Sequence, residues 1–259
     1  MIGESIPKKI WRVLYPALTF FAIYFIVIYV GMMFLASNGH AWTLDMAMND
    51  NFALITCIAL AITLFVEYIY YRSDFVVKET ALIRKPVNII LLIVFGALLA
   101  HGLSLLISLL NIDGLLGNYS NVENEIFGAS AVFVLIRVVI LTPLAEELIF
   151  RGLTFNRLKN YTNFWVAAII SSALFGLYHM NLAQGVYAFL YGIVMCLIYD
   201  IFQNLWATIL LHFAGNLLSV ILQYTNLTYP VMWVYLLVMV ITLGICVALF
   251  FKFFKKLKK

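Results

Sequence analysis

The sequence predicts an all-α membrane protein: a polytopic transmembrane helical bundle of about eight spans, with both termini in the cytoplasm. Three observations carry that prediction. Of the 259 residues, 65% are apolar and only 11% charged, against about 45–50% and about 25% in a soluble domain. The apolar residues come in runs close to the roughly 20 residues that a helix needs to cross a hydrocarbon core. The basic residues collect in alternate breaks between those runs.

In chain order the runs lie near 10–36, 51–71, 87–110, 126–150, 164–180, 183–202, 205–225 and 231–254. The first is too long for a cleaved signal peptide and lacks a small-residue cleavage site after a short core, so it reads as a retained span. The fifth to seventh are short and closely spaced. Eight spans put both termini on one side. That side takes Lys8, Lys9 and Arg12, then Arg72, Lys78, Arg84 and Lys85 in the second-to-third loop. It also takes Arg151, Arg157 and Lys159 in the fourth-to-fifth loop, and Lys252, Lys255, Lys256, Lys258 and Lys259 in the tail. These are 15 of the 16 basic residues; the sixteenth, Arg137, lies within a span. The opposite loops carry Asp45, Asp50, Asp113, Glu123 and Glu125 and no Lys or Arg. The positive-inside rule places the basic side, and with it both termini, in the cytoplasm. Trp11, Trp42, Trp165, Trp206 and Trp233 fall near span ends, as interfacial anchors do.

The basic tail after Phe251 suits a stop anchor at an anionic leaflet. With the charge so placed, the net +4 is no nucleic-acid signature. Cys57, Cys196 and Cys246 sit in apolar runs without C-x-x-C spacing, which argues against a disulfide framework or a thiolate metal site. The chain reads as one membrane domain over 1–259. Residues 1–125 hold spans without a recognised motif, 126–225 a helical core, and 226–259 the last span and tail.

Ionisable groups within spans are the informative residues, because each costs a few kcal/mol at the bilayer centre on insertion scales. They are Glu67, His101, Arg137, Glu146, Glu147, His179, Asp200 and His212. Three local patterns stand out. In Glu146-Glu147-x-x-x-Arg151, Glu147 and Arg151 are four apart and share a helix face. Glu146 is turned by about 100° from Glu147. One glutamate thus has a counter-ion and the other is available as a general base; a snorkelling cluster at a helix end would look the same. In Phe175-x-x-x-His179 the ring packs under the imidazole, as it also would in a plain helix contact. In His212-x-x-x-Asn216 two donors face one way, as an oxyanion requires; interhelical polar glue is the bland alternative.

Taken in order on three spans, E-E-x-x-x-R, F-x-x-x-H and H-x-x-x-N resemble the CPBP family of CAAX protease and bacteriocin-processing membrane peptidases, related to the type II CAAX prenyl endopeptidases. The resemblance covers roughly 140–220. It implies a hydrolase that cuts a peptide bond in a membrane-associated peptide or lipidated-protein substrate. Glu146 would be the catalytic glutamate, and His179 would help polarise the attacking water. His212 and Asn216 would stabilise the tetrahedral oxyanion, with Glu147, Arg151 and Phe175 in support. Members are often called metalloproteases, and Glu146, His179 and His212 form a conceivable zinc set. The absence of H-E-x-x-H and the poor ligand quality of Asn216 favour metal-independent chemistry with no cofactor.

The implied setting is a bacterial plasma membrane; the sequence leaves the oligomeric state open. The competing reading is a non-catalytic bacteriocin-immunity or membrane-assembly factor with the same fold. A transporter should show two similar halves or matched broken helices, and the sequence has neither. His40 reads as a solvated loop residue, His101 as helix glue and Asp200 as the end of the sixth span. Arg137 requires a partner that the sequence does not name.

Overall fold

The computed structural model describes residues 4–38, 50–74, 85–110, 127–225, 229 and 231–257. His40, Trp42, Asp45, Lys78, Arg84, Asp113, Glu123, Glu125, Lys258 and Lys259 lie outside the described residues, as do the side chains of Lys255 and Lys256.

Among the described residues the chain is all-helical, with eight helices. They are α1 (Ile6–Ser37), α2 (Asp50–Asp74), α3 (Pro86–Leu109), α4 (131–159), α5 (Phe164–Tyr178), α6 (Leu182–Phe202), α7 (Leu205–Thr225) and α8 (Met232–Leu257). Six of these, α1, α2, α3, α6, α7 and α8, are long and apolar enough to cross a membrane. The protein is an integral membrane protein on that count. Against the predicted spans, α4 begins later than 126 and runs on past 150 to Lys159, and α5 ends two residues before 180. α5 has only 15 residues and stops at Tyr178, so His179 lies just past its end rather than inside a span.

α4 is not a regular helix. It runs through α-helical turns at Ala131–Val134, Thr142–Glu147 and Asn156–Lys159, separated by π-helical turns at Leu135–Leu141 and Leu148–Phe155. Pro143 accounts for the first widening: it offers no N–H to the carbonyl four residues back, and its ring crowds the preceding turn. π turns interrupt α-helices most often where a side chain must be re-aimed. The helix continues to Lys159, so Arg151, Arg157 and Lys159 belong to α4 and not to a loop as predicted. Arg72 likewise lies within α2.

The chain packs into two compact units: residues 1–76 with 118–167, and residues 77–117 with 168–259. The first unit contains α1, α2 and α4. α1 buries only the stripe Val13, Pro16 and Phe20, spaced three and four apart, and leaves the rest of its apolar surface to acyl chains. At one end of this unit the charges are knitted together. The fully buried Arg157 donates Nε–H to Asp74 Oδ2 (2.7 Å), Nη1–H to the carbonyl of Arg12, and Nη2–H to the Tyr15 hydroxyl (2.6 Å). Its guanidinium also lies over the Tyr15 ring, 4.5 Å from the centroid. Arg12 bridges Glu4 (2.9 Å) and Asp74 (3.1 Å), and Tyr161 donates to Glu4 (3.0 Å). Ahead of α1, desolvation would raise the Glu4 carboxyl. Hydrogen bonds from Tyr161 and Arg12 and the charges of Arg12 and Lys8 outweigh it and hold Glu4 below its ordinary value.

The second unit contains α3, α6, α7, α8 and most of α5. Its core joins Leu92, Phe95, Tyr191, Met195, Leu211 and Phe253 with smaller neighbours. α3 crosses α7 at backbone contact: a Cβ at Gly96 would stand 2.2 Å from the Leu211 carbonyl oxygen. Helices in lipid gain no hydrophobic drive from meeting each other, so close approach through small residues supplies the packing instead.

Candidate active site

The predicted site residues fall into two sets, one on each unit. On α4, Glu146 and Glu147 end the α-helical stretch Thr142–Glu147, and Arg151 stands in the following π stretch. All three are buried. Arg151 Nη1 donates to Glu147 Oε1 at 2.9 Å, with both side chains almost wholly shielded from solvent. The four-residue spacing thus forms the ion pair that it predicts, even across the change of helical pitch. A charge-assisted bond in so dry a place is short and directional, and removing either partner would strand a buried charge. Glu146, one residue earlier, is rotated away from this pair by the helical turn.

The second unit carries the other four. Phe175 is buried on α5. His179, half-buried, follows the end of that helix, and its Nδ1 lies 2.8 Å from the Phe175 carbonyl oxygen. A carbonyl only accepts, so Nδ1 is the protonated nitrogen, and in the neutral ring Nε2 carries the lone pair. Met180 adopts a left-handed conformation (φ 53°), and Asn181 caps α6 by accepting from the Gln184 amide at 3.1 Å. The chain therefore turns sharply right after His179. The Phe175 ring meets His179 edge-on at 5.0 Å and His212 edge-on at 6.2 Å. One aromatic ring thus touches both His179 and His212. Sequence spacing revealed only its contact with His179. His212 is buried on α7, and Asn216 follows one turn later, half-buried.

Two features went unread in the sequence. Arg157 was assigned to a loop and is buried in the Asp74 network; its partner lies 83 residues away, where no periodicity reaches. Tyr191 meets His212 edge-on at 6.0 Å and carried no motif at all. Of the remaining intramembrane groups, His101 Nε2 lies 2.6 Å from the hydroxyl of Tyr229, which stands between α7 and α8 and not on a neighbouring helix. Glu67 is fully buried on α2, with no hydrogen-bond partner among the described residues. Arg137 is buried within the first π stretch. Asp200 accepts from the Gln203 side chain, at the left-handed residue (φ 47°) that ends α6.

The zinc alternative draws Glu146 from the first unit and His179 and His212 from the second. Within neither unit do three His, Cys, Asp or Glu side chains of the described residues gather as a metal ion would need.

Residues 128–218 match the family of type II CAAX prenyl endopeptidases described as Rce1-like. The chain is also 34% identical over 84 residues to a Bacillus subtilis (strain 168) protein named "Putative membrane peptidase YdiL". That stretch is 32% of this chain and 34% of the relative, so the match spans about a third of the relative's length. No solved structure matches the chain. All of Glu146, Glu147, Arg151, Phe175, His179, His212 and Asn216 lie inside the matched segment. On that match and the distant homology to the Bacillus protein, the segment 128–218 belongs to the Rce1-like type II CAAX prenyl endopeptidase family.

Proposed function

We propose that the protein is an intramembrane endopeptidase that hydrolyses a peptide bond in a membrane-associated peptide or lipidated protein. In this reading the Glu146 carboxylate takes a proton from water as the water oxygen attacks the scissile carbonyl carbon. The Nε2 lone pair of His179 accepts from the same water and orients it. N–H donors of His212 and Asn216 receive the oxyanion of the tetrahedral intermediate; preorganised donors of this kind are each worth roughly 10²–10³ in rate. The C–N bond then breaks, and Glu146 returns its proton to the leaving amine. Water is the co-substrate, and the products are one carboxylate and one amine.

The observation that carries this reading is the division of labour between adjacent glutamates. Glu147 forms a shielded ion pair with Arg151, while Glu146, buried one residue earlier, is turned about 100° away from it on the same helix. Family membership of the segment supports the same assignment. The setting we infer is a bacterial plasma membrane crossed eight times, with both termini cytoplasmic. Reporter fusions at Lys259 and in the loop around Asp113 test it: an external signal at Lys259 would overturn the eight-span topology.

The function is tested with purified protein in lipid vesicles, given a mixture of membrane peptides that includes a farnesylated CAAX peptide. Products are read by mass spectrometry, and metal content is measured on the same sample. The expected result is cleavage that survives exhaustive chelation and falls by at least about 10² in Glu146→Gln. Activity that disappears with stoichiometric zinc and returns with added zinc would make Glu146, His179 and His212 ligands instead. Equal product patterns from wild type and Glu146→Gln would favour the non-catalytic immunity or assembly role.

A further inference from the structure

We propose that Tyr191, which no motif marks, is a positioning residue for His212 and Asn216. Its phenol stands on α6 and is 2% exposed. Oη lies 3.0 Å from the Leu211 carbonyl on α7 and 3.4 Å from the Gly96 carbonyl on α3. A hydroxyl has one proton to donate, so these two carbonyls share it, the shorter contact taking the larger part. Leu211 is the residue before His212. Gly215, the residue before Asn216, forms the facing wall: a Cβ there would come within 2.8 Å of Tyr191 Oη. The hydroxyl is therefore seated between the two backbone positions that precede the two oxyanion donors.

The ring acts on the imidazole as well. It stacks on Tyr187 (5.6 Å, 15°) and presents itself to His212 at 71°. With Phe175 on a second side, His212 is held by two aromatic edges. A simple core-filling role does not account for the oxygen. Phenylalanine would fill nearly the same volume, and a phenol in an apolar interior is unfavourable unless it is bonded. Here the bond is made to the very turn that aims His212. Reactive geometry demands such support, since a misplacement of about 1 Å is enough to cost roughly 10² in rate.

The consequence for turnover rests on the peptidase reading; the placement of His212 does not. The test is therefore spectroscopic first. The chain has four histidines, so 15N-histidine NMR in nanodiscs gives a countable spectrum, with His212 assigned by its loss in His212→Gln. Tyr191→Phe is expected to shift or broaden the His212 ring signals and leave those of His101 and His179 in place. Where cleavage is measurable, kcat should fall by about tenfold to a hundredfold with KM nearly unchanged. If Tyr191→Phe does not fold, 3-fluorotyrosine at position 191 keeps the shape and strengthens the donor, and it should shift the same His212 signals by less. An unmoved His212 signal in folded protein would overturn the proposal. Histidine signals that all move together would do so too, since that is what a merely structural residue gives. A moved His212 signal with wild-type cleavage would count against the proposed reaction and not against the positioning.

Discussion

The two units bury polar groups in opposite ways. The first uses full charges: Arg151 with Glu147, and Arg157 with Asp74, Tyr15 and the Arg12 carbonyl. The second uses neutral groups and close backbone: Tyr191 on two carbonyls, His179 on the Phe175 carbonyl, and α3 against α7 at Gly96. Buried ion pairs tolerate little trimming, because losing one partner strands the other. Neutral hydrogen bonds are individually worth only about 1 kcal/mol, so the second unit depends on shape instead. In the proposed reaction, the part that would supply the carboxylate is thus braced by charge, and the part that would supply the donors is braced by fit. That difference predicts which substitutions each half resists.

The largest effect should come from breaking the shielded pair on α4. Glu147→Gln leaves Arg151 charged and buried, a loss of about 3–5 kcal/mol by analogy with other broken buried pairs. It should lower both accumulation and melting temperature in detergent. Glu146→Gln should keep wild-type yield and melting temperature while losing activity. Equal yields and equal activity losses in the two variants would remove the distinction between the glutamates.

Asp74→Asn comes next. Arg157 keeps its bonds to Tyr15 and the Arg12 carbonyl but loses a charged acceptor, so the loss should be roughly 1.5–3 kcal/mol. Increased susceptibility to proteolysis in the α1–α2 region would report it; an unchanged melting temperature would mean that the network contributes nothing. In the second unit the matching probe is Gly96→Ala, which adds no charge and removes no bond. Its methyl group would run into the Leu211 carbonyl, and overpacking of this kind costs typically 1–3 kcal/mol. It should disturb the His212 resonance as well as stability. A silent Gly96→Ala would contradict the view that this unit is braced by fit.

The smallest effect concerns Glu4 and has a definite sign. Its carboxyl is held below its ordinary value in the folded protein. Its contribution to stability is therefore fully present above the unfolded-state pKa of about 4.3 and is lost as pH falls through the lower folded value. Thermal stability should fall as pH drops below about 4.3, and Glu4→Gln should flatten that limb by lowering stability slightly at neutral pH while leaving the acid region almost unchanged. A variant that loses as much stability at neutral pH as in acid would deny the linkage.

What could be read from the sequence was what lies within one helix. Hydropathy located every helix except α4 to within a few residues, and four-residue spacing found Glu147–Arg151 and Phe175–His179. The pitch change in α4 was not legible, since hydropathy does not register the widened turn before Pro143, and neither was the extension of that helix through Arg157. Basic residues near a predicted span end were taken as loop charges, although the partner that buries Arg157 sits on α2. The second ring contact of Phe175 and the whole environment of Tyr191 join different helices. Tyrosine in an apolar run gives no warning that its oxygen matters.

The central claim is that Glu146 drives peptide hydrolysis in the membrane, and it is tested most directly without choosing a substrate in advance. Membrane and released peptides from cells carrying wild-type protein are compared by mass spectrometry with those from cells carrying Glu146→Gln at the same protein level. The account predicts one or a few uncleaved precursors that accumulate only in the variant, with the matching cleaved termini present only in wild type. Indistinguishable peptide sets from two well-expressed proteins would contradict it.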